Sequence, residues 1–241
     1  MLTKEKISEV KKIDQKDWIR LTVLGLLFYT FTQGTQFIGL SLLPAVTVSL
    51  LLNFTPIIVA VMGIFILSEK PSVLQWLGTS LFIIGILAYF YPVDLSESKT
   101  LGIIVMTIGI FSNAFSSILG RGINRSGKFH PLTVTVVSMG IGSIIMLIIG
   151  LAAQGLPHLN LTNILFLLWL SVVNTAFAFT LWNLSLRTLT AMESSIINGT
   201  MLIQIAFLAW LFIGEPVTWR EGIGMLIAAA GAIVVQIKRR N

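Results

Sequence analysis

The chain has 241 residues, of which 55% are hydrophobic and only 11% charged, and its mean hydropathy is +0.91. Soluble domains carry about 25% charged residues, so a soluble globule is excluded and the chain reads as an integral membrane protein. Its net charge of +6 sits in short loops and tails, which favours membrane orientation over nucleic-acid binding, and with no cysteine no disulfide framework or Cys-based metal site can be built.

From the amino terminus, Lys4, Lys6, Lys11, Lys12 and Lys16 alternate with Glu5, Glu9, Asp14 and Asp17. The stretch lacks the apolar core of a signal peptide and is expected to be a charged cytoplasmic tail over residues 1–19, solvated or forming a short surface helix. A bilayer core needs about 20 apolar residues per helix. By that measure the spacing predicts eight spans: Arg20–Leu42, Ala45–Leu67, Val73–Tyr91, Leu101–Leu119, Leu132–Ala152, Leu161–Leu186, Met192–Ile213 and Trp219–Ile237. The fold class is therefore all-α, a polytopic membrane helix bundle with eight transmembrane helices. The longer connections fall near 92–100, 120–131 and 153–160. Alternating the spans from a cytoplasmic amino terminus puts 14 of the 16 Lys and Arg on one side, leaving Lys99 and Arg220 on the other. That asymmetry predicts both termini in the cytoplasm.

The chain contains one unit written twice. Glu69, Gly78 and Gly85 recur at an offset of 146 as Glu215, Gly224 and Gly231, and the capping-box pair Ser72 and Gln75 recurs as Thr218 and Glu221. Both glutamates end an apolar run. Five spans separate them, an odd number, so the two acidic turns face opposite sides and the copies are inverted. Inverted repeats of this kind underlie alternating access in many secondary transporters.

On these residues the chain resembles an EamA-domain transporter of the drug/metabolite transporter superfamily. The carrying stretches are Leu52-Asn-Phe-Thr-Pro56 through Glu69 and Leu77-Gly78 to Gly85 in one half. In the other they are Thr180 to Arg187, Phe212-Ile-Gly-Glu215 and Gly224 to Gly231. The resemblance implies ten helices in two inverted halves. Here 20–92 supplies three helices, a partial first EamA repeat, and 101–241 supplies a complete second repeat of five. The two helices that open the family pattern have no counterpart, so either an upstream portion is missing from this chain, the favoured reading, or the protein is a true eight-helix variant.

The expected function is a secondary transporter of the plasma or inner membrane that exports a small organic metabolite, an amino acid or drug-like compound, by alternating access. The alternative is a truncated, non-transporting fragment or an interaction subunit that needs a partner to complete the bundle. No Walker A loop, H-E-x-x-H or G-x-S-x-G appears, and an enzyme is not expected. Neither a cofactor nor a metal is implied. The expected partners are a small-molecule substrate and the lipid bilayer, with a homodimer as a further option and no nucleic acid.

Span interiors contain no charged residue on this reading. Glu193 comes nearest, in the capping box Thr190-Ala-Met-Glu193. Glu69 and Glu215, in tight turns, suggest a structural or gating role. Gly78, Gly85, Gly224 and Gly231 suggest close helix packing. Candidates for a substrate cavity are neutral: Asn53, Thr55 and Pro56, whose missing N–H frees the Leu52 carbonyl; Asn198 and Gln204, with Thr200 beside them; Asn113; Asn174, Trp182 and Asn183; and Gln33 and Gln36. The offset pairs Pro56 with Leu202, so a kink is expected in one half only. Interhelical hydrogen bonding accounts for each amide singly. Their recurrence at similar depth is what points to a cavity. His130 and His158, each beside a proline, carry no expected role.

Overall fold

The computed structural model describes residue 10 and residues 13–92, 100–156, 160–214 and 216–237. Every regular element among the described residues is helical, in eight runs. α1 is α-helical over Gln15–Gly25, π-helical over Leu26–Thr32 and α-helical again over Gln33–Leu42. α2 comprises Ala45–Leu52 and Thr55–Leu67, α3 is Val73–Phe90, α4 is Thr100–Arg125 and α5 is Pro131–Gln154. α6 runs Leu161–Trp169, a π segment Leu170–Phe177 and Ala178–Ser185. α7 comprises Ala191–Gly199, Met201–Leu208 and a π turn Ala209–Ile213, and α8 is Trp219–Gln236.

Six of these runs, α2 through α7, are long and apolar enough to cross a membrane. α1 is diluted by Tyr29, Thr30, Thr32, Gln33, Thr35 and Gln36, and α8 opens on Arg220 and Glu221, which is why length alone, not hydropathy, marks these two as spans.

Three expectations are corrected by the fold. α1 begins at Gln15, capped by the Asp14 carboxylate accepting from the Asp17 N–H at 2.8 Å. Ile13 and Asp17 are buried, so the end of the supposed surface tail is packed structure. α4 continues past Leu119 to Arg125 because Gly120, Arg121 and Asn124 are packed rather than looped. Arg121 is only 7% exposed, so a charged residue does lie within a helical run. Finally, both α2 and α7 are broken. α2 breaks at Asn53 and Phe54 and α7 at Thr200, which is Phe54 plus 146. The residues that close the first segments have like backbones, Asn53 at φ −71°, ψ −6° and Thr200 at φ −67°, ψ −10°. A proline is not needed: at the second break Gly199 has low helix propensity, and the Thr200 hydroxyl donates to the Ile197 carbonyl at 2.7 Å.

The described residues form two compact units, neither of them a continuous stretch of chain. One takes residues up to Gly34 together with Leu119–Leu189. Its core joins Ile13, Leu21, Leu24, Ile123, Phe129, Val134 and Val137. α1 and α5 cross there without room for side chains: a Cβ at Gly25 would lie 2.3 Å from the Ser138 carbonyl oxygen and one at Gly142 2.5 Å from that of Gly25. The Thr30 hydroxyl donates to the Gly142 carbonyl at 3.2 Å. Two π segments belong to this unit, and in each a threonine hydroxyl takes a carbonyl five residues back, Thr32 to Leu27 and Thr175 to Leu170.

The other unit takes Thr35–Ile118 and Thr190–Asn241. Its main core gathers Phe82, Ile86, Met192, Ile196, Ala228 and Val235. α3 and α8 cross through four glycines in reciprocal pairs. A Cβ at Gly78 would meet the Gly231 carbonyl at 2.8 Å, and one at Gly85 the Ala228 nitrogen at 2.3 Å and the Gly224 carbonyl at 2.7 Å. Conversely, a Cβ at Gly224 would meet Tyr89 N at 2.6 Å and one at Gly231 Phe82 N at 2.4 Å. Gly78 facing Gly231 while Gly85 faces Gly224 makes the two helices antiparallel, with their backbones in contact.

Candidate functional site

Within the Thr35–Ile118 and Thr190–Asn241 unit, the two helix breaks meet. Each lies eight residues into its helix, from Ala45 to Asn53 and from Ala191 to Gly199. At about 1.5 Å per residue that is about 12 Å, close to the middle of a bilayer core about 30 Å thick. A Cβ placed on Gly199 would lie 3.5 Å from Asn53 Oδ1 and 2.6 Å from the Phe82 ring. The Asn53 side chain thus abuts the second break, with Phe82 bordering both.

The polar atoms at the α2 break divide sharply. The Asn53 N–H donates to the Ser49 and Leu50 carbonyls, the Phe54 N–H to that of Leu51 and the Ile57 N–H to that of Phe54, while Pro56 has none to give. Two side-chain oxygens remain unpaired. Asn53 Nδ2 donates to the Ser49 carbonyl at 2.8 Å, which fixes the amide with Oδ1 outward. Among the described residues neither Asn53 Oδ1 nor Thr55 Oγ1 has a hydrogen-bond partner, although the two residues are only 8% and 4% exposed. A buried polar atom left unpaired costs about 1–3 kcal/mol. At the α7 break the hydroxyl is occupied on both sides, since Thr200 Oγ1 donates to Ile197 and accepts from Gln204 Nε2 at 3.3 Å.

In the same unit, two carboxylates converge on the start of α7. The Ala191 N–H donates to Glu69 Oε2 at 2.9 Å. Glu193 completes the capping box with Thr190, its Oε2 accepting from Thr190 N at 2.9 Å, and its Oε1 accepts from Gln75 Nε2 at 3.2 Å. Gln75 itself closes the Ser72 capping box of α3. Gln236 Nε2, at the end of α8, donates to the Glu193 carbonyl at 3.3 Å. The ends of four helices are tied at one level by these five residues. Glu69 reaches Ala191 because Ser68 adopts a left-handed backbone, φ 55°, which folds the turn back over Gly63. Glu215 lies outside the described residues.

In the unit formed with Leu119–Leu189, Asn183 is the hub of a buried polar chain. Its Oδ1 accepts from Asn124 Nδ2 at 2.7 Å and its Nδ2 donates to Thr135 Oγ1 at 3.0 Å. Arg121 donates to the Leu186 carbonyl at 2.6 Å and Arg187 to that of Phe129 at 2.7 Å. Phe179, one turn from Asn183, stacks edge-on against Phe28 and Tyr29 at 5.4 and 5.2 Å. At the end of this unit Lys128 Nζ pairs with Asp14 at 2.9 Å and also with buried Asp17, which Arg20 approaches at 3.5 Å. The Asp17 backbone N–H, and then Lys128, hold the Asp14 carboxyl below the usual range; Asp17 and then Asp14 hold the Lys128 ammonium above it.

The remaining sequence candidates are scattered. Pro56 is buried beside Thr55, and Gln33, Gln36, Asn113 and Trp182 are half-buried. Asn174, Asn198 and Gln204 are exposed. Asn124 and Thr135, which complete the Asn183 chain, are not among the residues singled out from sequence. The spacing Asn113, Ser117, Gly120, Asn124, a helical stripe of small and polar residues, is the available signal that α4 runs on through Asn124.

Apolar helices long enough to span a bilayer, glycine crossings and two broken helices meeting at an uncharged polar point define a multi-pass integral membrane protein. Discontinuous helices are where membrane carriers bind their cargo. The sequence profile of the EamA-like transporter family matches residues 3–91 and 100–237. The chain belongs to that family and is a membrane transporter of the drug/metabolite type. It is 24% identical over 245 residues to the uncharacterized transporter YyaM of Bacillus subtilis, covering 94% of this chain and 77% of that one. It is 28% identical over 248 residues to the uncharacterized transporter YvbV of the same organism, covering 97% and 77%. Protein PecM of Dickeya dadantii is 22% identical over 228 residues, covering 94% and 76%.

Proposed function

We propose that the chain is a secondary carrier that exports a small organic metabolite, an amino acid or drug-like compound, across the cell membrane by alternating access. The observation that carries this reading is the meeting of the α2 and α7 breaks at buried Asn53 and Gly199. A broken helix carries backbone dipoles and unpaired groups into the membrane, tolerated only where protein or a cavity receives them. Two such breaks at repeat-equivalent positions give a site that either half can approach. The repeat division, 20–92 and 101–241, is part of the same proposal, as is the orientation with both termini in the cytoplasm. Glu69, Gln75, Glu193 and Gln236 would then lie at cytoplasmic helix ends, where their bonds hold that side shut and must part when it opens. Glu215 is proposed for the outer side on the sequence repeat alone.

The test is counterflow in proteoliposomes holding the purified chain and preloaded with single unlabelled amino acids. Accumulation of the matching labelled compound is the expected result. A correctly inserted protein that exchanges none of a broad amino-acid and amine panel would overturn the carrier reading.

A second reading is favoured by one observation. α6 buries none of its most apolar window, whereas α4 buries half of its own, and the amide of Asn174 is exposed along α6. An amide facing hydrocarbon needs a partner, as in a subunit completed by another polypeptide or a second copy. Light scattering of the detergent-solubilised chain separates the two readings. An Asn174→Leu variant that changes a dimer to a monomer would support the second.

A further inference from the structure

We infer that the break in α2 receives a cationic N–H donor, the ammonium group of a primary amine, and that this group is the part of the cargo the protein recognises. That a cargo exists rests on the carrier reading, but the recognition chemistry follows from the α2 break itself. Of the two buried side-chain oxygens left unpaired there among the described residues, Asn53 Oδ1 can only accept and Thr55 Oγ1 can accept or donate. Asn53 presents Oδ1 because its Nδ2 is spent on the Ser49 carbonyl. Thr55 Oγ1 is buried and unbonded among the described residues. Pro56 offers the Leu52 carbonyl no N–H. The N–H groups of Asn53, Phe54 and Ile57 are already bonded, which leaves the Thr55 hydroxyl as the side-chain donor there.

Ala45–Leu52 ends at the break with partial negative charge and Thr55–Leu67 begins there with partial positive charge, so the helix dipoles offset each other and the unpaired side-chain oxygens decide the sign. Leu50, Ala60, Phe82 and Ile196 form the apolar core beside it. A carboxylate there would find one donor, the Thr55 hydroxyl, and be opposed by Asn53 Oδ1, whereas an ammonium can donate to both oxygens. The equivalent break in α7 cannot substitute, because its Thr200 hydroxyl is already bonded as both donor and acceptor. Among the described residues the α7 break has no buried, unpaired side-chain oxygen to match Asn53 Oδ1.

The test uses the full chain purified in detergent, with thermal unfolding followed by tryptophan fluorescence. The probes are butylammonium chloride, N-butylacetamide, sodium butyrate and sodium chloride, with choline chloride holding ionic strength constant. The expected result is a saturable rise in midpoint with butylammonium only. Thr55→Val, which keeps shape and removes the hydroxyl, should weaken the apparent affinity by about tenfold, the scale of one hydrogen bond to a charged group. Asn53→Leu should abolish the shift. Equal stabilisation by butyrate, or a saturable shift with sodium ion alone, would overturn the inference, as would no shift with butylammonium or unchanged affinity in Thr55→Val. If butylammonium binds in this way while proteoliposomes exchange nothing, the site chemistry stands and the carrier reading falls.

Discussion

Replacing Gly85 with alanine adds a single methyl group at the crossing of α3 and α8. A Cβ there would lie 2.3 Å from Ala228 N, 2.7 Å from the Gly224 carbonyl and 2.8 Å from Ala228 Cα. These are backbone atoms, so no side chain can swing away and the helices must separate by about 1 Å to restore van der Waals contact. A gap of 0.5–1 Å forfeits about a quarter to a half of each dispersion contact, and this crossing carries Phe82, Ile86 and Ala228, each 1% exposed or less. Overpacking costs about 1–3 kcal/mol, and because only backbone atoms meet the new methyl the upper part of that range, about 2–3 kcal/mol, applies. Alanine's better helix propensity returns about 1 kcal/mol. The net loss is about 1–2 kcal/mol, a fall in midpoint of about 2–8 °C for a chain of this size. Gly222→Ala is the control: it lies in the same helix as Gly224, with nothing within 4 Å of the new methyl, so it should be neutral or slightly stabilising. Gly224→Ala combined with Gly85→Ala should cost less than the sum, because one separation of the helices serves both. Thermal unfolding of the purified variants in one detergent decides it. A Gly85→Ala midpoint at or above wild type would refute the packing argument.

Other outcomes follow from the helix ends and loops. Glu69→Ala removes the acceptor of the Ala191 N–H and should lower stability by about 1–2 kcal/mol, with Glu69→Gln keeping most of it; equal midpoints for both variants and wild type would count against the bond. Lys128→Gln should lower the midpoint at neutral pH. Asp14 is held low, so its contribution is present above its unfolded value and fades as pH falls through the folded one; Lys128 is held high, so its contribution is full below its unfolded value and fades only as pH rises through the folded one. The wild-type advantage should therefore be flat between about pH 5 and pH 10 and shrink outside that window; an advantage that peaks below pH 4 would contradict this. Because the chain has no cysteine, single cysteines report sidedness directly. In intact cells an impermeant maleimide should label Leu156→Cys and leave Ser126→Cys unlabelled, and the reverse pattern would invert the proposed orientation.

Much of the fold is legible in the sequence because membrane helices announce themselves by length and by what they leave out. The seven-residue glycine spacing alone puts Gly78 and Gly85, and Gly224 and Gly231, each on one helix face. What escapes is set by packing. The second helix break carries no proline to betray it, since Gly199 and Thr200 break α7 without one. The extension of α4 to Arg125 depends on Asn124 reaching Asn183 and Arg121 reaching a carbonyl, partners 59 and 65 residues away. Asp17 resembles a tail residue because its main partner, Lys128, is 111 positions along. Among the candidate amides, burial and bonding separate Asn53 and Asn183 from the exposed Asn174, Asn198 and Gln204, and no spacing rule carries that information.

Above all, the buried oxygens of the α2 break are held to touch what the protein moves. The most direct test compares Asn53→Leu with wild type in one proteoliposome exchange assay, using the amine or amino acid that wild type exchanges fastest and matching the amount of inserted protein. Exchange reduced about tenfold or more, with insertion and thermal midpoint close to wild type, is the predicted result. Asn53→Leu exchanging at the wild-type rate would place recognition elsewhere and reduce Asn53 to a residue that merely closes a helix.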